Sequence, residues 1–127
     1  MFRVVPQLMV DDVSRSVGFY ANVLGFVVSV EDPEGTPEFV SLEREDAALF
    51  LVSAASREEP LPVDASGTTQ RGAGVRLFFE VDDAAALYEQ VRGSGVQIVR
   101  DLTFNEEEDY TEFLMADPDG YQIGIYS

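Results

Sequence analysis

Val10-Asp11-Asp12 recurs as Val81-Asp82-Asp83, 71 residues further along the chain. Each copy follows a stretch of alternating apolar and polar residues and precedes a helix-like stretch that ends at a glycine. Alternation with a period of two is typical of a half-buried strand, and an aspartate just before a helical apolar pattern indicates an N-cap. A repeat of this length indicates two related structural units that pack around something shared.

The ends of the two copies also correspond, because residues 39–53 line up with residues 113–127 at an offset of 74. Both copies then have the order strand, helix, strand, strand, strand. We therefore expect an α+β fold of duplicated βαβββ modules, in which curved mixed sheets enclose a cleft. The first module spans residues 1–53, a linker loop rich in Ser, Pro, Gly and Thr spans 54–74, and the second module spans 75–127, all within one compact domain.

Local patterns place the elements within each module. Each Asp-Asp pair is predicted to cap a helix, the first over residues 13–24 and the second running through Val91. Val4 and Val75 are expected to face the core from the strands that contain them. The predicted strands cover residues 3–10, 26–30, 39–44, 47–53, 75–81, 96–100, 110–116 and 121–127.

The composition limits the classes of partner. The chain has 24 acidic residues, 8 arginines and no lysine, which gives a net charge of −16. Nucleic acid and membrane surfaces are therefore not expected as partners, whereas a cationic ligand would be attracted; solubility alone would also explain the charge. The chain has neither cysteine nor histidine, which removes disulfides, thiol catalysis and the usual transition-metal ligands. No stretch reads as a signal peptide or a membrane span, so a cytoplasmic location is expected.

Three motifs carry a resemblance to a known family. They are residues 10–20 (VDDVSRSVGFY) with the Leu-Gly-Phe at 24–26, the Val-Asp-Asp at 81–83, and residues 113–123 (FLMADPDGYQI). With these motifs the chain resembles the vicinal oxygen chelate superfamily, which includes glyoxalase I, extradiol dioxygenases, fosfomycin-resistance transferases and bleomycin-resistance proteins. The resemblance implies the fold but not the chemistry, because this scaffold hosts lyases, dioxygenases, transferases and simple binding proteins.

Glyoxalase-like members of the superfamily hold a divalent metal with one side chain from each of four strands. The resemblance places these positions at Val5, Phe50, Arg76 and Gly124, and the two repeat offsets pair the same positions independently. None of these residues can ligate as histidine or glutamate does, and the guanidinium of Arg76 would repel the ion. We therefore expect no metal at that site, no cofactor, and no catalytic residue of the kind known in the family.

The strand faces directed away from the predicted helices offer contacts for a ligand instead. Arg76 could anchor a carboxylate or phosphate, or could form a structural ion pair with Glu112. The aromatic rings on this face could line a cavity or fill the space between the modules, and the acidic run 106–109 could be an electronegative rim or a solvated loop. The predicted ligand-binding cleft consists of Val5, Gln7, Phe50, Arg76, Phe78, Glu80, Tyr110, Gly124 and Tyr126.

These observations predict a metal-independent protein that binds a small organic molecule. Bleomycin-resistance proteins are the most similar in kind, since they share its acidity, its length and its lack of the metal ligands. The resemblance implies that a cationic aromatic antibiotic is sequestered in clefts of a homodimer. Two alternatives stay open: a lyase, isomerase or other enzyme of this fold that uses carboxylates such as Glu80 or a relocated metal site, and an interaction protein whose cleft is filled by its own side chains.

Overall fold

The computed structural model describes residues 1–56 and 61–127. The chain forms two compact units, Met1–Arg71 and Gly72–Ser127. Each unit contains one four-stranded mixed sheet and one helix of at least two turns, in the order βαβββ. The α+β fold with a duplicated βαβββ module is therefore confirmed, and each sheet is open rather than closed into a barrel.

The first unit contains one helix and four strands. The elements are β1 (Gln7–Val10), α1 (Val13–Leu24), β2 (Val27–Asp32), β3 (Phe39–Arg44) and β4 (Ala47–Ser53). A short 3₁₀ helix, Ala54–Ser56, follows the last strand. The strand order in the sheet is β1-β4-β3-β2, in which β1 runs parallel to β4 and the other neighbours are antiparallel.

The second unit has the same topology. The elements are β5 (Arg76–Glu80), α2 (Ala84–Val91), β6 (Gln97–Asn105), β7 (Tyr110–Ala116) and β8 (Gln122–Tyr126). The strand order in the sheet is β5-β8-β7-β6, and again the first strand runs parallel to the last while the other pairs are antiparallel. In the ranges 1–56 and 61–127, no helix has the length and apolarity that a bilayer crossing requires.

Both helices begin at the second aspartate of the repeated pair. The Asp12 carboxylate accepts a hydrogen bond from the backbone N–H of Arg15 at 3.1 Å, and the Asp83 carboxylate accepts one from Ala86 at 3.0 Å. Each bond satisfies a backbone donor that the first turn of a helix leaves without a partner. The first helix ends at Gly25, whose φ of 72° is the left-handed conformation that glycine adopts without strain.

Each helix covers one face of the sheet in its own unit. In the second unit the ring of Tyr88 on α2 contacts the buried ring of Phe113 on β7, with 5.3 Å between the ring centroids. In the first unit α1 packs on β3 and β4, and Tyr20 of this helix is fully buried. The other large side chains that are almost completely buried are Val10, Val40, Leu42, Leu49, Leu51, Leu114, Met115, Ile123 and Ile125.

Two predicted core residues and two predicted strand boundaries are wrong. Val4 is 78% exposed and Val75 is 59% exposed. The first strand begins at Gln7 and not at residue 3, and β5 begins at Arg76, so both valines precede the strands that were expected to contain them. The sixth strand extends to Asn105, well beyond the predicted end at residue 100. Its pairing with β7 shifts register on both sides of Arg100, and such bulges interrupt the alternation by which a strand is recognised in sequence.

The segment predicted as a linker, 54–74, contains residues 57–60, which lie outside the described residues. Its described part includes a tight turn around Asp64. One carboxylate oxygen of Asp64 accepts hydrogen bonds from the backbone N–H groups of Ser66 and Thr68, both at 2.9 Å, and from the Ser66 hydroxyl at 2.7 Å. These bonds, led by the one from the Ser66 side chain, lower the pKa of Asp64 because they favour the charged form.

We expect this turn to loosen when Asp64 loses its charge. The pKa of the Asp64 carboxyl is lower in the folded protein than in the unfolded chain, so its charged form stabilises the turn. This stabilisation is complete when the pH is above the pKa in the unfolded chain, and it is lost as the pH falls through the pKa in the folded protein. At neutral pH, Asp64→Asn should accelerate hydrogen exchange at the amides of Ser66 and Thr68, as measured by NMR. Unchanged protection of both amides in the variant would contradict this prediction, and the amide of Gly25 at the end of α1 serves as the internal control.

Candidate ligand-binding site

The sheet face opposite α2 carries most of the predicted ligand contacts in the second unit. Alternation along β5 directs Arg76, Phe78 and Glu80 to this face, and all three are exposed. The register with β8 places Phe78 beside Gly124 and Glu80 beside Tyr126. A continuous surface of aromatic and acidic side chains therefore crosses neighbouring strands.

A pocket of about 420 Å³ opens to solvent on this face. Its lining consists of three aromatic residues, Phe78, Tyr110 and Tyr126, and two acidic residues, Glu108 and Glu112. The volume lies within the range of about 300–1,000 Å³ that is usual for small-molecule sites. Every polar lining side chain is thus a phenol or a carboxylate, and none is a cation.

The Phe78 ring forms one wall of the pocket and lies over Gly124. A Cβ atom placed on Gly124 would be 2.3 Å from Cε1 and 2.4 Å from Cδ1 of Phe78, much closer than non-bonded carbon atoms approach. Phe78 is still 45% exposed, so a large part of its ring is open to a ligand. It meets Tyr126 edge to face, with 6.2 Å between the ring centroids, a geometry that aromatic pairs favour.

The two carboxylates of the pocket differ in their electrostatic surroundings. Glu112 on β7 accepts a hydrogen bond from the guanidinium of Arg100 and is only 15% exposed. Glu108 lies in the loop between β6 and β7, where its backbone N–H donates to the side chain of Asn105 at 2.9 Å. Among the described residues no cation pairs with Glu108, so its negative charge is available to a ligand.

The suggested ion pair between Arg76 and Glu112 is not formed. Arg76 Nε instead donates to the side-chain oxygen of Gln122 at 2.7 Å, while Glu112 is held by Arg100. The register explains the difference, because Arg76 lies opposite Gln122 at the start of β8, whereas Glu112 lies opposite Tyr126 at its end. Arg76 consequently lies outside the lining of the pocket.

The predicted residues of the second unit thus fall into two groups. Phe78, Tyr110 and Tyr126 line the pocket. Gly124 lies under the Phe78 ring, and Arg76 and Glu80 share the sheet face without lining the pocket.

The remaining predicted contacts belong to the first unit. Val5 precedes β1, and Gln7 lies opposite Phe50 in the parallel pairing of β1 with β4. The Phe50 ring packs against Phe39, with 5.2 Å between the ring centroids. Whether Val5, Gln7 and Phe50 contact a ligand stays a prediction.

Sequence reasoning did not place Glu108 and Glu112 among the ligand contacts. Glu112 follows Tyr110 by two residues on β7, and this spacing puts both on one face of the strand. That alternation was the signal available in the sequence. Glu108 lies in the acidic run that was considered as a rim, but its contribution depends on the loop conformation, which the sequence does not specify.

The four positions that would hold a metal in a glyoxalase-like protein carry no suitable donor. They are Val5, Phe50, Arg76 and Gly124, and the space above Gly124 is taken by the Phe78 ring. Within the part of the chain that the structure describes, no three side chains of the His, Cys, Asp or Glu type are grouped as metal ligands would be. The residues present do not fit a divalent ion at those positions.

The first unit has a pocket of its own, of about 350 Å³, at the N-terminal end of α1. Its two carboxylates already have structural partners. Asp11 pairs with Arg71, with 2.5 Å between Oδ1 and Nη2, and Asp12 caps the helix. The pocket of the second unit, with a carboxylate left for a ligand, is therefore the stronger candidate.

Comparisons with known proteins agree with the architecture. The family model described as Glyoxalase/Bleomycin resistance protein/Dioxygenase superfamily matches residues 3–125. Bleomycin resistance proteins from Geobacillus stearothermophilus and Staphylococcus aureus are 26% identical to this chain over 131 residues, which covers 99% of this chain and 96% of each relative.

Solved structures show the same fold at low sequence identity. TioX from Micromonospora sp. ML1 superposes with a TM-score of 0.78 and 20% identity, covering 99% of this chain and 98% of TioX. TnmS3, an antibiotic binding protein from Streptomyces sp. CB03234, superposes with a TM-score of 0.69 and 19% identity, covering 98% of this chain and 94% of TnmS3. Since the family model spans nearly all of both βαβββ units, the chain belongs to the glyoxalase/bleomycin resistance protein/dioxygenase superfamily.

Proposed function

We propose that this protein binds and sequesters a small organic cation that carries flat rings, and that it does so without a metal. The observation that carries the proposal is the pocket of the second unit, in which three aromatic side chains and two carboxylates line about 420 Å³ of open space. Flat rings can pack on Phe78, Tyr110 and Tyr126, and a positive charge is attracted both by the ring faces and by Glu108.

The charge distribution favours a cation over an anion. Glu108 adds a local negative charge to a chain whose net charge is −16. A negative potential raises the rate at which cations encounter the pocket, and it repels anions. Arg76 does not reverse this preference, because it lies outside the pocket lining and is held by Gln122.

The relatives support an antibiotic as the class of ligand. The curated relatives are named bleomycin resistance proteins, and TnmS3 is described as an antibiotic binding protein. Sequestration needs only a pocket of the right shape and charge, and the lining of this one contains no serine, cysteine or histidine. Metal independence is supported by the absence of donor side chains at Val5, Phe50, Arg76 and Gly124.

Calorimetry with metal-free bleomycin tests the proposal directly. We expect chelator-treated protein to bind bleomycin at low ionic strength and to bind it more weakly as salt rises, because exposed charges are screened over about 10 Å at 0.1 M salt. Glu108→Gln should slow association about two- to fivefold and change dissociation less, as is usual for a charge at the rim of a site. The matched control is Glu107→Gln, which removes the same charge from the same loop at a residue that does not line the pocket.

Three outcomes would contradict the proposal. Bleomycin could fail to bind at low salt, or binding could require a metal that the chelator removes. A planar carboxylate could bind instead and lose its affinity in Arg76→Ala, which would show that the ligand is an anion anchored by that guanidinium.

We also propose that the protein is a homodimer. The edge strand β2 supports this, because it exposes Val27, Val28 and Val30, which are 67%, 40% and 50% accessible. An apolar edge strand left open to solvent is a site for pairing with another chain. Sedimentation velocity should therefore give a dimer at micromolar concentration, and a monomer across the concentration range would refute the proposal.

A further inference from the structure

The Phe78 ring, which forms one wall of the second-unit pocket, occupies the space that a side chain at residue 124 would need. The three atoms nearest to a Cβ placed on Gly124 all belong to the Phe78 ring, at 2.3, 2.4 and 2.7 Å. Ordinary van der Waals contact between carbons begins near 3.5 Å, so even one methyl group at this position would displace the ring by about 1 Å. The Phe78 wall can take its present place only because residue 124 has no side chain.

The obstacle to a side chain at Gly124 is the ring and not the backbone. Gly124 lies within β8, and it is not among the glycines with positive φ. An alanine could adopt this backbone conformation without strain, as other residues of a strand do. An alanine substitution at Gly124 therefore probes the position of the Phe78 ring with little other disturbance.

We propose that Gly124 sets the affinity of the pocket for ligands with flat rings, by acting as the positioning residue for the Phe78 ring. This inference rests on the proposed function, since it concerns ligands with flat rings bound in that pocket. With the ring against the sheet, Phe78 and Tyr126 keep their edge-to-face contact and leave the volume in front of them open. A side chain at residue 124 lifts the ring from the sheet, which separates this pair and narrows or removes the surface on which a planar cation packs.

A double-mutant cycle tests this mechanism with bleomycin as the probe. Gly124→Ala should weaken binding about tenfold, and Phe78→Ala should weaken it by a similar factor because the wall is removed. The double variant should bind within about twofold of Phe78→Ala alone, since Gly124 has no ring left to position. Gly18→Ala is the matched control, because a Cβ at that glycine meets nothing within 4 Å.

The unfolding temperatures of the same proteins give a readout that needs no ligand. Gly124→Ala should lower the midpoint of thermal unfolding by about 2 °C when Phe78 is present, because the half-exposed ring loses part of its contact with the sheet and with Tyr126. In the Phe78→Ala background the same change should leave the midpoint unchanged or raise it, because alanine restricts the unfolded chain more than glycine does. A loss of stability from Gly124→Ala that disappears when Phe78 is removed is specific to competition between residue 124 and the ring.

The two readouts separate failure of this inference from failure of the proposed function. If the wild type binds bleomycin, then wild-type affinity in Gly124→Ala, or an equal loss in both backgrounds, overturns the inference. If the wild type does not bind bleomycin, the proposed function fails and the ligand part of the inference fails with it. An equal change of unfolding temperature in both backgrounds overturns the steric mechanism in either case.

Discussion

Replacing Phe113 with alanine should lower the free energy of unfolding by about 3–5 kcal/mol, the usual cost of removing a buried aromatic side chain. Phe113 is completely buried and lies on β7, between β6 and β8, where its ring contacts Tyr88 of the covering helix. Loss of the ring would leave a cavity between α2 and the sheet that neighbouring side chains can only partly fill. Urea unfolding followed by circular dichroism would measure the change.

Phe104→Ala is the control for this prediction. It deletes the same side chain from the neighbouring strand β6, but Phe104 is 58% exposed. A substitution at an exposed position such as this one should change the free energy of unfolding by about 0.5 kcal/mol or less. Equal destabilisation by the two variants would show that Phe113 does not lie in the core.

Tyr126→Ala should weaken the binding of bleomycin about 10- to 30-fold. Tyr126 lines the pocket, meets Phe78 edge to face and lies opposite Glu112 in the sheet. Its removal takes away one ring face for a cation and also the ring that supports Phe78. Calorimetric titration of the variant beside the wild type measures the loss.

Tyr126→Phe separates the ring from its hydroxyl group. We expect this variant to bind bleomycin within about threefold of the wild type, because the proposed contacts use the face of the ring. Similar weakening by both substitutions would assign the effect to the hydroxyl group and would contradict the proposed packing. Phe104→Ala again serves as the control, since it removes a ring of the same unit that does not line the pocket.

The sequence predicted those elements whose ends are marked by turn residues. Strands β3, β4 and β7 have the predicted bounds, 39–44, 47–53 and 110–116, and both helices begin where the Asp-Asp pairs indicate. The end of β6 could not be predicted, because bulges on both sides of Arg100 break the alternation.

In the candidate site, too, the features that follow from alternation could be predicted, whereas those that depend on strand pairing could not. Alternation alone placed Phe78 and Tyr126 on one face, and the structure brings both into the pocket. The pairing of Arg100 with Glu112 required the register of β6 against β7, which a single sequence does not reveal. The contact of Phe78 with Gly124 likewise depends on the pairing of β5 with β8, so the role of the glycine could be inferred only from coordinates.

The parallel pairing of β5 with β8 also determines when the pocket forms during folding. Phe78 and Gly124 are partners across strands that are the first and the last of their unit, and the paired residues are 46 positions apart in sequence. Such a contact forms only after the intervening chain has closed into a loop, and the entropy of that closure makes distant pairings slow to form. The wall that would recognise a ligand is therefore absent from any partly folded form in which these strands have not met. A ligand held there would oppose the separation of β5 from β8, and the fraction of chains able to bind would equal the fraction in which the second unit has completed its folding.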